Sequence, residues 1–183
     1  MTQTNDIEKA LEQGFQKARM LVYQAVWKQM RLCAIEFVRQ AVDDYNGGNL
    51  TGNTITSISA GLYAEGMPQP EIINAREVVG LKSPIATKLH KGETFRGIDY
   101  DGRERKGFVA DVETDGDYGE GTAFHILQSY RLPAGATFGI VVTTGTEYSE
   151  YLTKEKDLNY DVLISTFKNA PATAWKHWRR IKV

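Results

Sequence analysis

The sequence predicts an α+β fold in which a long N-terminal helix packs on a mainly antiparallel sheet, followed by a β-rich central insertion and a C-terminal helix. Three observations predict it. Apolar residues recur at three- and four-residue steps from Ile7 through Leu11, Phe15, Ala18, Val22 and Val26 to Ala41, with no proline before Tyr45. β-branched runs at Thr54–Tyr63 and Thr137–Thr144 have strand character. A second helical pattern spans Leu158–Lys168. With 183 residues, 42% hydrophobic and 25% charged, the chain is expected to form one domain over 1–183, with the insertion at about 64–128.

The first helix is expected to begin at Ile7 behind an Asn5 or Asp6 cap, with Glu8 complementing its N-terminal dipole. Unless Gly14 breaks it, it forms a rod of roughly 55–60 Å. From Met20 to Tyr45 the apolar residues spread round the helix, with Leu21, Tyr23, Trp27 and Leu32 off the main stripe. Such a helix must be enclosed, by its own domain or by other copies. Asn46-Gly47-Gly48-Asn49 offers the left-handed residues of a C-cap.

Thr54–Tyr63 follows as a strand, with a turn at Gly66-Met67-Pro68. The insertion shows short β-like runs at Glu77–Val79, Ile85–His90, Thr94–Tyr100 and Gly107–Val112, and Asp101-Gly102 suits a hairpin joining Thr94–Tyr100 to Arg105–Val112. Asp115–Gly121 reads as an irregular loop, and Thr122–Tyr130 as a short helix with Phe124, Ile126 and Leu127 on its apolar side. Thr137–Thr144, nearly continuous in apolar and β-branched residues, is expected at the centre of its sheet. In the next helix Leu158, Val162, Leu163 and Phe167 should face inward, and a separate last segment should follow Pro171.

Chemistry finds little purchase. A net charge of −1 gives no global field for a nucleic-acid backbone or an anionic membrane. No run of about 18 apolar residues and no secretory pattern is seen, so a cytoplasmic protein without direct membrane contact is expected. Cys33, the single cysteine, falls in the apolar part of the first helix and reads as packing, away from the electropositive partners that activate a thiol. Asp111–Asp117 alternates oxygen donors like a calcium loop, but the twelfth position is Thr122 where a bidentate glutamate is needed. His90, His125 and His177 lack zinc spacing, and Gly116, Gly119 and Gly121 lack the spacing of a dinucleotide loop. No enzyme, cofactor or metal site is expected. Trp175 and Trp178, three apart among basic residues, read with Trp27 as packing or interface anchors.

Two short motifs remain. Thr51-Gly52-Asn53-Thr54-Ile55-Thr56-Ser57-Ile58 follows the long helix, and Tyr148-Ser149-Glu150-Tyr151-Leu152 follows the strand ending near Thr144. The order of helix, threonine-glycine turn, strand and tyrosine motif resembles the tail-completion, or head-tail joining, proteins of tailed bacteriophages. This chain has Thr54 where that family usually has leucine, lacks the final glutamate of the tyrosine motif, and is longer between the motifs. The resemblance implies a structural virion protein that completes the tail by forming a ring between portal and tail tube. Thr51, Gly52, Ser57, Tyr148 and Tyr151 would then shape the fold, portal and tail-tube proteins would be partners, and nucleic acid would be met only as DNA passing through the ring. The expected place is the virion neck, with the host cytoplasm during assembly. The competing expectation is a non-enzymatic protein- or ligand-binding module that uses the central insertion.

Overall fold

The structure, a computed structural model, describes residues 2–45, 53–79, 90, 92, 94–95, 108–109, 119–146 and 162–182. The fold is α+β, as expected. Helix α1 (Thr2–Asp44) is continuous over 43 residues, about 65 Å at 1.5 Å per residue. It starts ahead of the expected Asn5 or Asp6 cap, and Gly14 does not break it. One glycine costs a helix about 1 kcal/mol, and once a helix is nucleated each further residue adds its own hydrogen bond. The C-terminal half buries Val26, Met30, Ala34, Val38, Ala41 and Val42. Residues 7–24 are all exposed; Arg19 and Tyr23 still reach Glu65 and Phe138 of the sheet, and residues 7–18 stand out beyond it as an arm.

The core sheet has three strands, β1 (Ser59–Ala64), β2 (Met67–Asn74) and β5 (Phe138–Thr143). Their order is β2-β1-β5, all antiparallel. Every residue of β1 is buried, because the strand is covered on both faces. Ala60 and Leu62 join the α1 core. On the other face, Tyr63 donates a 2.5 Å hydrogen bond from its hydroxyl to the Leu127 carbonyl of helix α4 (Gly119–Ser129). That carbonyl lies in the last turn of α4, where helical acceptors lack helical donors. A Cβ at Gly61 would lie 3.2 Å from the Leu127 side chain, so the glycine lets the helix approach closely.

β1 and β2 are joined by Glu65-Gly66, with φ of 53° and 81°, while Ala64 pairs with Met67. Two consecutive left-handed residues give the two-residue turn that matches strand twist. The turn therefore precedes its expected place, and Met67 and Pro68 already belong to β2.

Several expectations are corrected. Thr54–Ser57 is not strand but part of a short helix, α2 (Asn53–Ser57). The β-branched run is overridden by local bonds: the Ile58 amide donates to the Ile55 carbonyl, and the Ser57 hydroxyl to that of Thr54. Glu77–Val79 lies in a helical turn, α3 (Ala75–Val79), whose start is capped by Asn74 accepting from the Arg76 amide. β5 lies at the edge of the described sheet and is half-buried throughout. Helix α4 starts at Gly119, inside the expected loop. It buries Ala123 and Leu127 and leaves Phe124 and Ile126 exposed.

Within the insertion, β3 (Thr94–Phe95) pairs with β4 (Phe108–Val109) in a register centred between 101 and 102. That is where the Asp-Gly turn is expected, though 96–107 lie outside the described residues. So do the expected cap at 46–49, residues 85–89 of one β-like run, the acidic loop at 111–117 and the start of the 158–168 helix. The closing helix, α5 (Ile164–Trp178), begins later than expected and runs through Pro171. Proline removes the amide that would have bonded the Phe167 carbonyl, and its ring crowds that carbonyl. Val162 is buried as expected, whereas Phe167 is 80% exposed.

Candidate functional site

Helix α5 lies against α1 through Thr166, Thr173 and His177, which are all buried and recur at helical spacing. A polar tie fastens the pair. Lys176 Nζ reaches the Glu36 carboxylate at 2.7 and 3.0 Å, and His177 Nε2 donates to its Oε2 at 2.7 Å. The Lys176 hydrogen bond is the main influence holding the Glu36 carboxyl below its ordinary value; burial opposes it and the His177 bond assists. A carboxyl depressed in the folded state contributes stability that is complete above its unfolded pKa, near 4.5, and is lost as pH falls through the folded value. Glu36→Gln should therefore be less stable than the parent at neutral pH and converge with it in acid. Urea unfolding across a pH series from acid to neutral measures this, and parallel curves would refute it.

Beside this tie, α1, β5 and α5 enclose an open groove of about 600 Å³. Its walls are mainly apolar, with Met30 and Phe37 from α1, Phe138 and Ile140 from β5, and Pro171 and Trp178 from α5. Two polar atoms on its lining residues, Gln29 Oε1 and His177 Nδ1, are buried without a hydrogen-bond partner. The groove is thus an apolar trough, and these two polar atoms are buried behind its surface.

Cys33 borders the same groove and is 3% exposed. The fold does bring one cation, Lys176, toward it, which the sequence did not reveal. Burial, then the Glu36 charge, nonetheless pushes the thiol up to about 11, outweighing the opposite pull of Lys176. At neutral pH this lowers the thiolate fraction roughly 100-fold relative to an exposed cysteine. Iodoacetamide should accordingly label Cys33 at least that much more slowly in the native chain than in urea. Equal rates would place the thiol in the open.

Of the motif residues, Thr51, Gly52, Tyr148 and Tyr151 lie outside the described residues. Ser57 is described and fully buried. Its hydroxyl gives its proton to the Thr54 carbonyl, so the proton of its 2.6 Å contact with Thr144 Oγ1 comes from Thr144. Thr144 Oγ1 is also 3.2 Å from Thr146 Oγ1. The end of the first motif therefore meets the residues leading into the second, although 87 positions separate Ser57 from Thr144. Gly145 lies against the first turn of α4, where a Cβ would fall 1.9 Å from the Gly119 carbonyl oxygen.

The tryptophans divide. Trp27 packs against the core and stacks with Tyr23 at 6.0 Å between ring centroids. Trp175 and Trp178 are 61% and 57% exposed, and only Trp178 borders the groove. Glu36, Lys176 and His177 carried no signal in the sequence, since 141 positions separate Glu36 from His177 and only packing of α5 on α1 unites them. Among the described residues, no group of three or more His, Cys, Asp or Glu is placed to hold a metal ion, and no helix is long and apolar enough to cross a membrane. No family model, curated protein or solved structure matches this chain.

Proposed function

We propose that the chain is a structural component of a tailed-phage neck, assembling head-to-tail as a ring between the portal and the tail tube. The family reading rests on the resemblance of the two motifs. The observation that carries the assembly reading is a pair of unlike apolar surfaces on one chain: the exposed arm of α1, and the groove between α1, β5 and α5. Unlike surfaces that join copies head-to-tail close into a ring when the rotation permits. The role is mechanical. The polar cluster of Glu36 with Lys176 and His177 ties two helices together, and the nearby thiol is pushed away from its reactive form.

The subunit would act in the virion neck after assembly in the host cytoplasm, touching portal and tail-tube proteins and meeting DNA only as it passes the lumen. Deleting the gene from its parent phage genome tests this. Electron microscopy of the lysate should then show filled heads and tails that fail to join. Joined particles at normal yield would contradict the reading.

A further inference from the structure

We propose that the outward face of α5 is a peripheral membrane-binding surface, which lies on bilayers containing anionic lipid. The helix is amphipathic in the reverse sense of a core helix. Its buried positions, Thr166, Thr173 and His177, are polar and face α1. Six apolar residues are exposed instead: Ile164, Phe167, Pro171, Ala174, Trp175 and Trp178. At 3.6 residues per turn those six fall within an arc of about 100°, centred roughly 130° from the buried face. Because α5 packs chiefly on α1, this arc lies at the perimeter of the domain.

Charge selects the partner. From 162 to 183 the chain carries five lysines and arginines and no aspartate or glutamate. Lys176 is engaged by Glu36. Lys168, Arg179, Arg180 and Lys182 are exposed, and helical spacing sets Lys168 and Arg179 along one edge of the apolar arc. Net charge alone, at −1, predicts no membrane contact, but it conceals this segregation: the rest of the chain is net acidic and turns away from an anionic surface while α5 turns toward it. A second copy of the same face would set like charges opposite one another. Nucleic acid would stack on the tryptophans, yet it offers nothing apolar to Ile164, Pro171 and Ala174. An anionic bilayer meets both demands. Phe and Trp enter the boundary between headgroups and acyl chains, while Lys and Arg at the rim meet the anionic headgroups. Since α5 keeps its polar face on α1, it presents a strip that a flat surface covers without enclosing the helix. The contact is lateral, as no described helix is long and apolar enough to cross a membrane.

The membrane contact goes beyond the neck role and does not rest on it. Its test is co-sedimentation of the purified chain with phosphatidylcholine vesicles, made with and without an equal part of phosphatidylserine. Binding is expected to the anionic vesicles and not to the neutral ones, and should weaken as salt is raised. Lys168→Gln with Arg179→Gln should lower partitioning roughly 30-fold, about fivefold for each charge removed. Phe167→Ser with Trp175→Ser, at unchanged charge, should lower it by a like factor or more. Circular dichroism should show both variants folded, because all four positions are exposed. Absence of binding to anionic vesicles would overturn the proposal. Binding that the serine variant leaves unchanged would also overturn it, reducing the contact to diffuse charge attraction. Tighter retention of a single-stranded oligonucleotide than of vesicles, lost in the serine variant, would overturn it too, by assigning the rings to base stacking.

Discussion

Gly145→Ala is expected to destabilise the domain by roughly 3 kcal/mol or more, since the added atom meets backbone that cannot move aside. Its Cβ would lie 1.9 Å from the Gly119 oxygen and 2.5 Å from the Ala123 nitrogen. Both belong to α4, whose Leu127 is clamped by Tyr63, so relief requires shifting a helix that covers one face of the central strand. Gly14→Ala is the control. Nothing lies within 4 Å of its Cβ, and alanine in that helical position should stabilise by up to about 1 kcal/mol. Thermal and urea unfolding of the two variants should therefore move in opposite directions. A Gly145→Ala protein as stable as the parent would mean that α4 does not pack there.

Asn74→Ala is expected to cost roughly 2–4 kcal/mol, because it removes three bonds at one buried junction and leaves their partners unmet. Asn74 Nδ2 donates to the Thr56 carbonyl at 2.7 Å and to Ser59 Oγ at 2.9 Å, while its Oδ1 accepts from the Arg76 amide at 2.7 Å. One side chain thus fixes the end of α2, the start of β1 and the cap of α3. Asn74→Asp separates the roles. It keeps the cap but turns an oxygen toward the Thr56 carbonyl, and should be destabilised at neutral pH by a similar amount. If the aspartate variant unfolds like the parent, the donor bonds contribute nothing.

These two residues show where the sequence was legible and where it was not. Helix α1 was readable because its period persists over many turns, and β5 because Phe138–Thr143 is dense in β-branched residues. Local propensity failed at Thr54–Ser57, where a strand-like composition is held as helix by Ser57 and by Asn74, 18 positions from the Thr56 carbonyl it binds. It fails again at Pro171, which suggests a boundary although packing of α5 on α1 carries the helix through. Edge and centre were exchanged for the same reason: β5 has the apolar run, but β1, with its small Ala60 and Gly61, is the strand covered from both sides. Of the groove's lining, Val26, Cys33, Phe167 and Trp178 carry a packing signal in the sequence. Glu36 and His177 needed the fold to bring them together.

The proposed ring requires copies of this chain to join one another. Its most direct test is the mass of the purified parent protein by light scattering across a concentration series. The expected weight-average mass rises with concentration beyond the 20.5 kDa of one chain, and falls back to the monomer when Leu11 and Phe15 are replaced by aspartate. A parent chain that stays at the monomer mass over the whole series would contradict it.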